Sequence, residues 1–221
     1  MSSILPRRFY LRSPDLVARD LLGRVLARWL DGEWLTGRIV ETEAYFGKDD
    51  PAAHAFAGQT ARNAVLFGPP GFAYVYFIYG MYSCLNVSCE PEGQAGCVLI
   101  RALEPLSGLE TMARLRGLTA AAKPQLLTSG PGRLCQAFGI SHAMHNGLDM
   151  TSAESELQIQ GDGFRPKSIA VTPRIGITKA IDWPHRFVIE ADRFVSGGRI
   201  KTARQSRASK RTNLRTFANL S

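Results

Sequence analysis

Alternating apolar and polar positions divide the first part of the chain into recognisable elements. Residues 13–23 follow a helical pattern that begins with Ser-Pro and ends with Gly. Residues 24–30 and 33–45 read as strands, and the Asp31-Gly32 dipeptide between them is a typical hairpin turn. The pattern therefore predicts a helix followed by a β-hairpin.

Strand patterns continue through the middle of the chain after a loop rich in Gly, Pro and Ala over residues 46–70. Three further strands are predicted at residues 72–78, 82–89 and 96–105. Short strands or strand-like segments follow in "LQIQ", "SIAVTPRIGI" and "HRFVIEADRFV". Most neighbouring strands are separated only by turns, which favours antiparallel pairing.

Two helices are predicted after the strands. The first spans "SGLETMARLRG", with a capping box from Ser107 to Glu110 and an end at Gly117. The second follows the Gly-rich turn of "TSGPGRLCQAFG" and ends at Gly139. That turn fits either a phosphate site or a simple helix start.

These elements indicate the α+β class, as a single domain with a mainly antiparallel curved β-sheet core and surrounding helices. We assign residues 1–198 to this domain. Residues 199–221 are polar, basic and poor in apolar side chains, so we expect a disordered tail there.

The composition narrows the class of protein. Apolar residues make up 45% and charged residues 21% of the 221 residues, which is ordinary for a soluble globular domain. The longest apolar run, residues 71–85, is too short for a membrane span and contains four tyrosines. The N-terminus has no secretion signal, so we expect a cytoplasmic protein, associated with the nucleoid if bacterial.

Neither a metal nor a cofactor is expected. The four cysteines contain no C-x-x-C pair, so reduced and buried thiols are predicted. His142 and His145, with Asp149 nearby, match no standard ligand spacing.

The net charge of +8 comes from one end of the chain. Residues 193–221 contain eight Lys and Arg and no acid, so residues 1–192 have 19 charges of each sign. A basic tail adds salt-sensitive affinity for phosphates, or simply keeps the protein soluble. The charge alone is a weak indication of nucleic-acid binding.

Two carboxylates stand out in the strand "RIVETEAY". By simple alternation, Ile39, Glu41, Glu43 and Tyr45 share one face, while the residues between them point into the core. The two carboxylates are then roughly 6.5–7 Å apart at their backbones, a spacing that suits an inverting glycosidase. A solvated strand face is the competing interpretation.

A tyrosine cluster and two polar strand residues add to this picture. "YVYFIYGMY" holds four of the six tyrosines, which fits either ordinary core packing or the stacking of a nucleotide displaced from a duplex. Asn86 and Arg101 each lie within an apolar strand, and each needs a polar partner there. If these residues share a pocket with Glu43, its carboxylate supplies such a partner.

Six stretches together resemble the alkyladenine (3-methyladenine) DNA glycosylase family. They are "RIVETEAY", "AAH", "TARN", "PPGFAYVYFIYGMYSCLNV", "CVLIRALEP" and "SGPGRLCQA". They occur in this order, and the resemblance as a whole runs from about Pro14 to about Gly198. The resemblance implies a monofunctional glycosylase of base excision repair that flips alkylated purines out of duplex DNA and hydrolyses the N-glycosidic bond, leaving an abasic site.

The resemblance also implies catalytic roles and a partner. Glu43 matches the general base that activates the attacking water, helped by Arg101 and by the main-chain carbonyl of Ile175. The implied partner is double-stranded DNA that contains damaged purines. We expect no cofactor, no membrane and no obligate protein partner, and we take a monomer as the default.

Five further residues match positions that bind DNA in this family. Tyr45, His54 and Tyr76 match the side chains that sandwich the flipped base. Asn86 matches the residue that disfavours guanine by crowding its exocyclic amine. Tyr79 matches the aromatic residue that wedges into the duplex.

Two other functions remain open from the sequence. A carbohydrate glycosidase would use Glu41 and Glu43 as an acid and base pair and would need both. A non-catalytic nucleic-acid binder would use the tyrosines as a stacking platform and release no base.

Overall fold

The computed structural model describes residues 3–78 and 82–197. Nine strands of these residues form one antiparallel sheet that curls into a half-barrel, which confirms the predicted α+β fold. The strands are β1 (Ser3–Ile4), β2 (Val25–Leu30), β3 (Glu33–Phe46), β4 (Ala73–Ile78), β5 (Tyr82–Cys89), β6 (Gly96–Ser107), β7 (Leu157–Gly161), β8 (Ile169–Thr172) and β9 (Arg186–Ile189).

The sheet is organised around the long strand β3. Its spatial order is β1-β7-β2-β3-β6-β5-β4, and β9 pairs with β3 and with β8. The β2–β3 hairpin turns at Asp31 and Gly32, which both have positive φ values, as the sequence predicted. Residues Glu41–Glu43 of β3 pair with β6 on one side and with β9 on the other, so both carboxylates lie in the interior of the sheet.

Six helices and one 3-10 turn surround the sheet within the described residues. They are α1 (Arg7–Tyr10), α2 (Pro14–Leu21), α3 (Leu109–Leu115), α4 (Gln125–Thr128), α5 (Pro131–Ala137), α6 (His142–His145) and the turn at Ala64–Phe67. Among the described residues, none of these helices has the length and apolar character to cross a membrane.

Helix α3 forms where predicted, but the prediction of a capping box from Ser107 to Glu110 is wrong. Ser107 is the last residue of β6, where it pairs with Thr36, and its hydroxyl donates to the carbonyl of Trp34. The N-cap is Gly108, whose φ of 76° turns the chain from strand to helix. Ser107 cannot cap α3 because its backbone belongs to the sheet.

Most of the apolar core lies between the sheet and helices α2, α3 and α5. A second cluster, which includes Val40 and Ala102, packs against Phe194 and Val195. The four cysteines are free and buried, as predicted.

The simple alternation predicted for β3 is interrupted by a bulge. The register with β6 shifts between Ile39 and Glu41 and again before Thr42. Ile39 therefore packs in the main core together with Ala44, whereas Val40 belongs to the second cluster. Ile39 does not share the face of Glu43 and Tyr45, because the extra residue of the bulge reverses the alternation.

Two predictions fall outside the described residues. Tyr79 is one of residues 79–81, and the predicted basic tail covers residues 199–221. The domain boundary at residue 198 stays a prediction.

Candidate active site

A cavity of about 500 Å³ opens beside β3, β4, β5 and β6. The loop that follows β3 and the segment 175–179 complete its walls. Six of the predicted site residues line this cavity together, namely Tyr45, His54, Tyr76, Asn86, Arg101 and Ile175. Its volume is in the usual range for a small-molecule site.

Glu43 is fully buried behind this wall and does not line the cavity. Its Oε2 accepts hydrogen bonds from the Tyr45 hydroxyl at 2.8 Å and from Arg101 Nη1 at 3.2 Å. Its Oε1 accepts one from the backbone N–H of Ile175 at 2.8 Å. The three groups that hold the Glu43 carboxylate belong to residues that do line the cavity.

Glu41 is also fully buried, so the interpretation of a solvated strand face is wrong for both carboxylates. Its Oε1 accepts from Arg101 Nε at 2.9 Å, from Arg186 Nε at 2.7 Å and from the Ser196 hydroxyl at 2.9 Å. Its Oε2 accepts from the Ser196 backbone N–H at 2.7 Å. A carboxylate offers about four acceptor sites. Three protein donors on Oε1 and one on Oε2 use most of this capacity, and the carboxylate in turn holds Arg101 and Arg186 in place.

Arg101 joins the two carboxylates to the cavity. Its Nη1 lies 3.2 Å from Glu43 Oε2 and 3.5 Å from the carbonyl oxygen of Ile175. Both distances are longer than the 2.7–2.9 Å that is typical of a charge-assisted hydrogen bond. Burial alone would lower the pKa of Arg101, but Glu43 and Glu41 raise it above its ordinary value. The guanidinium is therefore a permanent cation at this corner.

Aromatic rings form another wall of the cavity. The rings of His54 and Tyr76 meet edge to face with centroids 4.4 Å apart. Nδ1 of His54 lies 2.9 Å from the hydroxyl of Tyr74, whose pKa burial raises to about 12. Partial burial, and then the nearby Arg62, lower the pKa of His54. His54 is therefore neutral at physiological pH.

Asn86 presents its side-chain amide to the cavity from β5. Its Nδ2 donates to the carbonyl of Tyr74 at 3.1 Å, which is a cross-strand contact to β4. Its Oδ1 lies 3.9 Å from the thiol of Cys97. The bond from Nδ2 to the Tyr74 carbonyl thus fixes the orientation of the Asn86 amide at the cavity wall.

An ion pair that the sequence did not predict lies behind Tyr45. Arg174 donates to both carboxylate oxygens of Asp50, at 2.5 and 2.9 Å, and to the carbonyl of Ala44 at 3.0 Å. The guanidinium carbon of Arg174 is 4.6 Å from the centre of the Tyr45 ring. The position of Arg174 directly before Ile175 was the available signal, but no local pattern links it to Asp50, 124 residues away.

The two histidines considered as metal ligands in the sequence lie outside the site. His142 and His145 belong to α6 and do not line the cavity. In the part of the chain that the structure describes, no cluster of three or more His, Cys, Asp or Glu is arranged to hold a metal ion.

A family model and several similar proteins all carry the description of a DNA glycosylase. The family model described as methylpurine-DNA glycosylase matches residues 8–193. A protein of Koribacter versatilis named "Putative 3-methyladenine DNA glycosylase" is 56% identical over 195 residues, which cover 88% of this chain and 94% of that protein. Proteins of the same name from Rhodopseudomonas palustris and Alkaliphilus oremlandii are 52% and 47% identical. Each alignment covers 87% of this chain, with 90% and 98% of the respective relative.

Proposed function

The chain belongs to the methylpurine-DNA glycosylase family, and we propose that it flips a purine of the 3-methyladenine type out of duplex DNA and hydrolyses its N-glycosidic bond with a water activated by Glu43. At the coarser level it is a DNA glycosylase for alkylated bases, a hydrolase of N-glycosyl bonds. One observation carries the finer proposal. Tyr45, Arg101 and Ile175 hold the buried Glu43 carboxylate, and all three line one cavity with His54 and Tyr76.

The corner between Glu43, Arg101 and Ile175 suits a water molecule. It brings together two acceptors, the Glu43 carboxylate and the Ile175 carbonyl, and one donor, Arg101. A bound water needs two to four polar partners. In our proposal a water bound beside these contacts accepts from Arg101 and donates to Glu43. Its oxygen then attacks C1′ of the sugar as Glu43 takes its proton, and the C1′–N bond breaks with its electron pair leaving on the purine.

The charge of Glu43 also favours the transition state. Loss of a purine from deoxyribose leaves positive charge on the sugar, as in an oxocarbenium ion. A buried carboxylate held in place beforehand stabilises that charge without reorganisation. Arg101 holds the carboxylate in position through its hydrogen bond to Oε2.

The aromatic wall suits an alkylated base. Alkylation at N3 or N7 makes the purine cationic, and a stack between Tyr45 and Tyr76 favours such a cation by roughly 0.5–2 kcal/mol. His54 adds no opposing charge while it is neutral. Damaged pairs also open at lower cost, which adds selectivity. We further propose that Tyr79 fills the gap left in the duplex.

Asn86 provides a means to reject normal guanine. Its amide is fixed at the cavity wall by the bond to the Tyr74 carbonyl. In our proposal it crowds the exocyclic amine of guanine, which adenine lacks at that position.

A carbohydrate glycosidase that uses both carboxylates is less compatible with this geometry. An acid and base pair needs two carboxylates that reach the substrate, whereas Glu41 is fully buried, does not line the cavity and accepts from four protein donors. Of the two, Glu43 alone is held by three residues of the cavity wall. Our proposal therefore gives Glu41 a supporting role.

The proposal is tested by product analysis. Methylated duplex DNA is incubated with the protein, free bases are separated by chromatography, and abasic sites are counted with an aldehyde-reactive probe. We expect equal amounts of free methylpurine and abasic sites, with the strand intact. Binding without any released base would instead indicate a non-catalytic nucleic-acid binder.

A further inference from the structure

A buried ion pair lies directly behind the ring that our proposal gives to base stacking. The side chains of Asp50 and Arg174 are both fully buried and joined by two hydrogen bonds. Asp50 also accepts from the backbone N–H groups of Phe46 and Ala52, at 3.1 and 3.0 Å. Neither residue lines the cavity, and neither has a part in the chemistry described above.

The geometry leaves one face of Tyr45 for a base. Arg174 lies over one face of the ring at 4.6 Å, while Tyr45 lines the cavity and Arg174 does not. A base that stacks on the ring must therefore use the opposite face. With a normal contact distance of about 3.5 Å, its plane lies about 8 Å from the guanidinium.

At this distance the charge behind the ring matters to the base. A guanidinium is charged at every accessible pH, and an unpaired one would repel a cationic purine through the ring. A neutral purine would be little affected. Asp50 cancels the charge of Arg174 with two direct bonds, so Arg174 can hold the Ala44 carbonyl and support Tyr45 without that penalty.

We propose that Asp50 is a positioning residue that influences which lesions the protein accepts. It neutralises Arg174 behind Tyr45 and so removes a repulsion that would disfavour cationic damaged purines relative to neutral ones. This inference rests on the proposed function, because it requires Tyr45 to stack the flipped base. If the inference holds, the selectivity between cationic and neutral lesions depends on the charges of Asp50 and Arg174, which lie outside the cavity.

The test compares two lesions in one set of variants. Single-turnover rates are measured for release of 7-methylguanine, whose nucleotide is cationic, and of hypoxanthine, whose nucleotide is neutral. In Asp50→Asn the unpaired guanidinium should lower the ratio of the two rates about tenfold. In Arg174→Gln the remaining carboxylate should raise the ratio. The double variant should return the ratio close to the wild-type value.

The ratio does not depend on the fraction of protein that is folded, and each single variant is decisive alone if the other fails to fold. If hypoxanthine release is too slow to measure, release of ethenoadenine, whose nucleotide is also neutral, serves as the neutral reference. Single variants that shift the ratio in the same direction, or leave it unchanged, would overturn this inference. Wild-type protein that releases no alkylated purine from methylated duplex DNA, 3-methyladenine included, would instead overturn the proposed function.

Discussion

The hydroxyl of Tyr45 donates a 2.8 Å hydrogen bond to Oε2 of Glu43, two residues earlier on the same strand. The ring of Tyr45 lines the cavity, while the carboxylate of Glu43 lies behind it. In the proposed reaction, the side chain that stacks the base therefore also orients the general base. Burial, and then Glu43, raise the pKa of Tyr45, so its hydroxyl stays a donor.

Tyr45→Phe separates these two roles. The phenylalanine ring keeps the stacking surface and removes the donor to Glu43. A hydrogen bond to a charged group contributes about 1.5–3 kcal/mol, so the single-turnover rate of base release should fall roughly 10- to 100-fold. Affinity for damaged duplex DNA should change little. A variant that loses affinity but keeps its rate would contradict this division of roles.

Glu41→Gln should affect stability more than catalysis. The change leaves Arg101 and Arg186 without their shared buried carboxylate, and such a loss typically costs about 3–5 kcal/mol. We expect chemical denaturation to show a fall of this size in the free energy of unfolding. The exposed Glu92→Gln, in the turn between β5 and β6, is the matched control, with almost no expected change. Equal stability of the two variants would remove the structural role of Glu41.

Asn86→Ala should relax discrimination against guanine. The substitution removes the amide that the Tyr74 carbonyl fixes at the cavity wall. Release of 7-methylguanine relative to 3-methyladenine should rise about tenfold, since the crowding of the exocyclic amine is lost. The measurement is competitive release from one methylated duplex. An unchanged ratio would exclude Asn86 as the selective residue.

Protein stability should fall as the pH drops below 6.5. Burial, followed by a nearby arginine in each case, lowers the pKa of His54, His145 and His185 from 6.5. Between the lowered values and 6.5 the unfolded chain binds more protons than the folded one, so acid favours unfolding. The contribution is fully present above pH 6.5. Thermal unfolding measured across this range should show a midpoint that falls as the pH is lowered.

His145→Asn is the informative variant for this effect, since His145 is fully buried. It should flatten the dependence of the midpoint on pH. The lowered pKa values of Asp50, Asp149 and Asp162 act below 3.8 and do not overlap with this window. A midpoint that rises as the pH falls from 6.5 would refute the assignment.

The sequence predicted the fold class and, among the residues described by the structure, eight of the nine strands, the three longest helices and six residues that line the cavity. The strands and helices follow from local patterns, such as the Asp31-Gly32 turn and the alternation in β4 and β5. The cavity set, including Arg101 and Ile175, came from family motifs that fix positions far apart in the chain.

The missed features depend on contacts that no local pattern encodes. The bulge at Val40 arises from pairing with β6, and it changed which residues share a face with Glu43. Ser107 has the sequence of a cap but belongs to a strand. Glu41 is bound by Arg186 and Ser196, which lie 145 and 155 residues away in the sequence. Only the folded chain brings these residues together.

The most direct test of the account is Glu43→Gln, assayed for release of methylpurines and for binding to damaged duplex DNA. The amide keeps the size of the side chain but cannot take a proton from water. We predict that single-turnover release falls to background while affinity for a duplex with one methylated purine is retained. Release at the wild-type rate by a folded Glu43→Gln variant would contradict the central claim that Glu43 activates the water.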